Sequence, residues 1–233
     1  MKIRRLPEID LARICALPVE KKKSALERFK SGYSLHSYNP MRAMIPDILN
    51  IQYPLFPDLQ PHTSWEKIES VLRQKCRNVE ESDYNIQVAS LLHEYGLRND
   101  IRSFSKPVPQ WAIGFGQAVK YWWDVYSVIG DSPYFVFVDP RVSSPLTGGG
   151  IRFTLSVMNE RLRVPDPDFA DAKLIVCQFP KMANGVRQMK VYDADDFALH
   201  SSSDLDEMIG ETYSLWLEVL RGREESARHR AHG

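Results

Sequence analysis

The residues best suited to a defined chemistry form one pentapeptide, Gln52-Tyr53-Pro54-Leu55-Phe56. That chemistry is recognition of a partner. A Leu–Phe pair can fill a preformed apolar pocket, while the glutamine amide offers both a donor and an acceptor at the pocket's polar edge. Burying one phenylalanine removes roughly 150–250 Å² from water, on the order of 4–6 kcal/mol at about 25 cal/mol per Å² before association costs. Ordering a peptide opposes this gain, and Pro54 and Pro57, which bracket Leu55 and Phe56, reduce the opposition. Tyr53 adds an aromatic face. The same residues admit a plainer reading, in which Leu55 and Phe56 join Ile48, Leu49, Ile51 and Leu59 in anchoring an irregular segment to the core.

A second constellation is acidic. Asp124 lies in YWWDVYSV, and Asp139-Pro140-Arg141 ends YFVFVDPR. An acid on one strand and an acid-x-base on the next is the arrangement with which Mg²⁺ nucleases hold the ion beside a scissile phosphate. Arg141 stands where such a site has lysine, and a permanently protonated guanidinium is a poor substitute for it. Asp139-Pro140 also reads as the start of a turn, with Asp124 the exposed member of an alternating strand. GGGIRF after Thr147 lacks a phosphate-loop lysine and reads as a helix start.

The elements that position these groups follow from periodicity. Helices are expected from Pro18 through Lys30, from Thr63 or Ser64 through Cys76, and from Ser82 to Gly96, with apolar residues at helical spacing. Five of the fifteen prolines (Pro40, Pro46, Pro54, Pro57 and Pro61) separate the first helix from the second. They allow one short turn at Asp47–Asn50, exclude a longer helix, and keep the segment out of a sheet. QWAIGFGQAV, KYWWDVYSVI and PYFVFVD read as strands, IRFTLSVMNERLR as a helix, KLIVCQF and RQMKVYD as strands, and Ser203 caps a last helix. The tail RGREESARHRAHG reads as disordered.

The fold class is therefore α+β. A helical N-terminal region precedes a mixed-sheet domain of order α-β-β-β-α-β-β-α, which resembles restriction-endonuclease-like folds. The expected divisions are an N-terminal helical segment (1–39), the proline-rich segment (40–62), a helical pair (63–100), the α+β domain (101–221) and the tail (222–233).

Composition bounds the function. Thirty basic residues offset thirty acidic ones, so no broad positive field draws nucleic acid. Cys15, Cys76 and Cys177 are odd in number and far apart, without zinc spacing, as expected of reduced cytoplasmic thiols. No run is long and apolar enough for a membrane span, and the acidic, proline-containing N-terminus is unlike a signal peptide. No cofactor is called for.

QYPLF resembles the Q-x-x-L-F motif by which bacterial polymerases and repair factors dock on the β sliding clamp. Its position about fifty residues into a chain of this length resembles the SocB family of toxins from type VI toxin–antitoxin systems. The resemblance implies a cytoplasmic toxin that occupies the clamp of DNA polymerase III through Gln52, Tyr53, Leu55 and Phe56, displaces polymerase and repair clients, and stalls replication elongation. It also implies an antitoxin that acts as a proteolytic adaptor for ClpXP, and contact with nucleic acid at most through the clamp. A Mg-dependent nuclease or phosphodiesterase using Asp124, Asp139 and Arg141 is the alternative.

Overall fold

A computed structural model describes residues 5–29, 37–53, 58–107, 109–114, 117–119 and 125–232. The elements run α1 (Glu8–Cys15), α2 (Val19–Arg28), α3 (Asn39–Ile48), α4 (Trp65–Lys75), α5 (Val79–Arg98), β1 (Arg102–Ser105), β2 (Trp111–Gly114), β3 (Gln117–Val119), β4 (Val125–Ile129), β5 (Ser132–Asp139), α6 (Gly148–Met158), β6 (Lys173–Gln178), β7 (Lys190–Asp193) and α7 (Ser202–His232). The main sheet is mixed, in the order β1-β4-β5-β6-β7, and β2 and β3 form a separate hairpin. Among the described strands β5 and β6 alone pair in parallel, joined by the α6 crossover.

Those two strands set the architecture. Along β5, Phe135 and Phe137 face one apolar cluster while Val136 and Val138 face the other. Along β6, Leu174 and Val176 join the first, and Ile175 and Cys177 the second. Burial on both faces is why YFVFV and LIVC read as unbroken apolar runs. Helices α1, α2, α6 and α7 cover the first face, and α3, α4 and α5 the second.

The α+β class holds, but the element order is richer than expected. Five strands precede α6, because QWAIGFGQAV splits into the β2–β3 hairpin and the unexpected β1 takes the sheet edge. Strand β1 escapes a periodicity reading because its buried position is Ser103, whose hydroxyl meets that of Ser127 at 2.8 Å. Tyr121, Trp122, Trp123 and Asp124 lie outside the described residues.

The proline-rich segment is corrected most. Helix α3 runs ten residues through it. Pro40 lies in the first turn, where its missing N–H costs nothing, and Pro46 lies inside the helix. Met41, Met44, Ile45 and Ile48 are all buried on the second face, and this apolar stripe outweighs the one lost backbone bond. The helix start is held from outside: the Asn85 carboxamide oxygen accepts from Met41 N (3.0 Å), and its amide donates to Ser37 O (2.8 Å). Nor do the prolines keep the segment wholly off the sheet, since Ile51 bridges to Ser103.

Helix α5 begins at Val79 rather than Ser82, capped by Asn78, whose side chain accepts from Glu81 N at 2.8 Å. Helix α1, which follows Pro7, was not expected. It explains two of the three consecutive glycines: a Cβ on Gly149 would meet that of Ala16 at 3.1 Å and one on Gly150 would lie 3.5 Å from Ala12 O, so these two let α1 and α6 approach closely, whereas Gly148 faces open space. Helix α7 continues through the polar tail, giving 31 residues and about 46 Å. Its Arg223 serves as a remote cap for α2, with Nη2 donating to Leu26 O, Glu27 O and Phe29 O at 3.1, 2.8 and 2.9 Å. The guanidinium also lies 5.3 Å from the Trp216 ring. Cys15, Cys76 and Cys177 are free thiols, and burial pushes Cys15 up to about 12. Among the described residues no helix is long and apolar enough to cross a membrane.

Two measurements test this packing. Arg223→Met strands the α2 carbonyls and should cost about 1–3 kcal/mol in urea unfolding; an unchanged midpoint would refute the cap. Glu81 is buried, and hydrogen bonds from the Arg77 guanidinium hold its carboxyl down to about 2. A depressed folded value means that the contact's stability is complete above the ordinary 4.5 and is lost as pH falls toward 2. The wild-type melting temperature should drop further over that window than that of Glu81→Gln, and parallel curves would contradict the assignment.

Candidate functional site

The segment 50–60 leaves α3 at one edge of the sheet. Asn50 ends the helix in the left-handed region (φ 57°), a conformation asparagine tolerates. Its side-chain amide donates to Ile101 O at 3.0 Å. Ile51 then pairs with β1: Gln52 N donates to Ser103 O (2.7 Å) and Ser103 N to Asn50 O (3.0 Å). The Ser103 hydroxyl donates to Leu49 O at 2.6 Å. The first foot of the connection is thus bonded to the sheet on both sides of Ile51.

Gln52 turns inward, with 6% of its surface exposed. Its Nε2 donates to Asn50 O (3.2 Å), Asn50 Oδ1 (3.0 Å) and Gln60 O (3.2 Å), and its Oε1 accepts from Gln60 N (2.8 Å). The amide thereby makes with the Gln60 backbone the reciprocal pair that two strand residues make with each other. It closes the connection into a loop whose two ends meet. The second foot passes through Thr63, whose carbonyl lies 2.9 Å from His93 Nε2, into α4, where the Ser64 side chain accepts from Lys67 N.

Directly outside this clasp the chain turns to solvent. Tyr53 is 52% exposed and Leu59 is 63% exposed. Leu59 therefore does not help anchor the segment, whereas Ile48 and Leu49 are buried. Leu55 and Phe56 lie outside the described residues. Of the four expected recognition residues, then, Gln52 forms the base of the loop and Tyr53 emerges from it. Sequence reasoning missed Asn50, Gln60 and Ser103. The one available signal was a second glutamine eight residues after the first, on the far side of Pro54 and Pro57.

The acidic constellation has a different geometry. Asp139 is fully buried at the C-terminal end of β5. Its Oδ2 accepts from Leu146 N (2.7 Å) and Gln178 Nε2 (3.2 Å), and its Oδ1 from Arg141 N (3.3 Å) and Nε (3.4 Å). Gln178 Nε2 also donates to Leu146 O at 2.8 Å, and Arg141 Nη1 reaches Asp10 at 2.9 Å. The structure does bring Asp139 and Arg141 together, as a clasp that folds residues 140–146 back onto the sheet. Asp124 falls outside the described residues. No group of three or more His, Cys, Asp or Glu that could hold a metal ion occurs among the described residues.

Comparison with known proteins gives one family and one relative. The family described as "Sliding clamp-binding bacterial toxin SocB" matches residues 9–226, which take in the second core cluster, all of the first but Leu6, and the Gln52–Gln60 loop. The DNA replication inhibitor toxin SocB of Caulobacter vibrioides (strain NA1000 / CB15N) is 36% identical over 233 residues, all of this chain and 97% of the relative. No solved structure matches. With agreement running the length of both chains, the protein belongs to the SocB family of sliding clamp-binding bacterial toxins.

Proposed function

We propose that the protein is a bacterial toxin that docks on the β sliding clamp of DNA polymerase III through Gln52-Tyr53-Pro54-Leu55-Phe56 and so blocks replication elongation. The observation that carries this reading is the placing of the motif: its first residue forms the base of a closed loop, and its second is exposed, in a family described as clamp-binding. Leu55 and Phe56 supply the apolar insertion and Tyr53 an aromatic flank, while the buried Gln52 amide, bonded to Asn50 and Gln60, holds the base of the loop that carries them.

The mechanism is competition. Clamp clients share one pocket on each clamp subunit, so a competitor present at several times its dissociation constant displaces polymerase and repair factors without making or breaking a covalent bond. A micromolar constant corresponds to about −8 kcal/mol, within the reach of one anchored aromatic plus flanking contacts. The fully hydrogen-bonded, buried Asp139 lends no support to a nuclease reading. Such a toxin is harmful only while abundant, which suits control by an adaptor antitoxin that delivers it to ClpXP in the cytoplasm.

Phe56→Ala should raise the Kd for purified clamp at least about tenfold, a loss of 1.4 kcal/mol or more, and abolish growth arrest on induction while the far-UV spectrum stays that of the wild type. Clamp binding and toxicity at wild-type strength would overturn the proposal. In cells, deleting the protease or the adaptor should lengthen the protein's half-life several-fold in a pulse-chase. An unchanged half-life in both strains would remove the proteolytic part of the reading.

A further inference from the structure

The Gln52–Gln60 clasp has a consequence for the residues just outside it. Tyr53 and Leu59 are the first residues to leave the clasp, one from each foot. Both are large, apolar and more than half exposed. A lone exposed leucine is unremarkable on a soluble surface, but here an aromatic and an aliphatic side chain emerge from the two ends of one closed loop. The loop is held rigidly at its base. Asn50 is fixed to Ile101, Ser103 is bonded to Leu49 and Ser127, and the Gln60 side-chain amide reaches Tyr53 O at 3.5 Å. Backbone fixed in this way loses little freedom when a partner covers it, so each Å² buried by the side chains it carries counts more toward affinity.

We propose that Leu59 is a second apolar contact on the sliding clamp, outside the pentapeptide, and that Gln52 and Gln60 act as positioning residues that hold it beside Tyr53. The inference rests on the docking reading above and extends its footprint: the clamp is met by both feet of the loop. The occupant is the clamp because Tyr53 and Leu59 lie within and just after the proposed docking motif in sequence, in a family described by clamp binding. Gln52 acts on the clamp at least in part through the clasp, which accounts for a motif glutamine whose amide is already committed inside the chain.

The test is clamp binding by the full chain, read by fluorescence polarisation, with melting temperature as the control for folding. Leu59→Ala should raise Kd about fivefold without lowering the melting temperature. Val79→Ala, at a valine 73% exposed at the start of α5, the end of that helix away from Ile101 and the clasp, should leave Kd unchanged. In the Gln52→Met background, which removes the amide but keeps the side-chain length, Leu59→Ala should cost less than it does alone, because the clasp that positions it is gone. Wild-type affinity in Leu59→Ala overturns the proposed contact, and strictly additive losses overturn the positioning role. Phe56→Ala in the same assay separates the two readings, since its full-strength binding removes the docking motif whatever Leu59 does.

Discussion

Burial of one parallel strand pair on both faces is the constraint from which the rest of the structure follows. Strands β5 and β6 carry apolar side chains alternately to the two clusters, so neither face can be left to water. Each face needs its own layer of helices, and the chain supplies these from distant stretches: α1, α2, α6 and α7 on one side, α3, α4 and α5 on the other. The segment proposed to dock exists because α3 must reach its place on the second face and the chain must then travel on to α4. A connection between two packed helices becomes the presented loop.

Polar groups at the ends of this layered core do the fine positioning. At the C-terminal end of β5, Asp139 gathers Arg141, Leu146 and Gln178 and fixes how the chain turns into α6. At the β1 edge, Ser103, Asn50 and Gln52 play a comparable part for the Gln52–Gln60 loop. In both places a buried polar side chain stands in for regular backbone pairing, which is how irregular chain is held close to an apolar interior. Lys22 with Glu211 and Arg223 with the α2 carbonyls extend the same logic to the α2–α7 contact.

Much of this was legible in the sequence, and the exceptions have physical causes. The apolar runs of β5 and β6, the Ser64 cap and the α6 periodicity announce themselves because burial and local hydrogen bonding are written in residue type. Helix α3 was hidden because its prolines argue locally against a helix, while the packing and the Asn85 bonds that favour it come from elsewhere in the chain. Strand β1 was hidden because paired serines replace apolar residues in its interior. The pentapeptide stood out by residue type alone. The inward turn of Gln52 did not, because it depends on Gln60 and Asn50 being brought to it by the fold.

The Ile51–Ser103 bridge also bears on self-association. Strand β1 is an outer strand of the sheet, and an uncovered outer strand offers its free amides and carbonyls to another molecule. Residues 50–52 occupy part of that border, so the stretch that begins the Gln52–Gln60 loop also guards the protein against pairing with its own copies. Substitutions there answer to two demands at once, affinity for a partner and solubility, and a change that loosens the stretch lays open a template for aggregation.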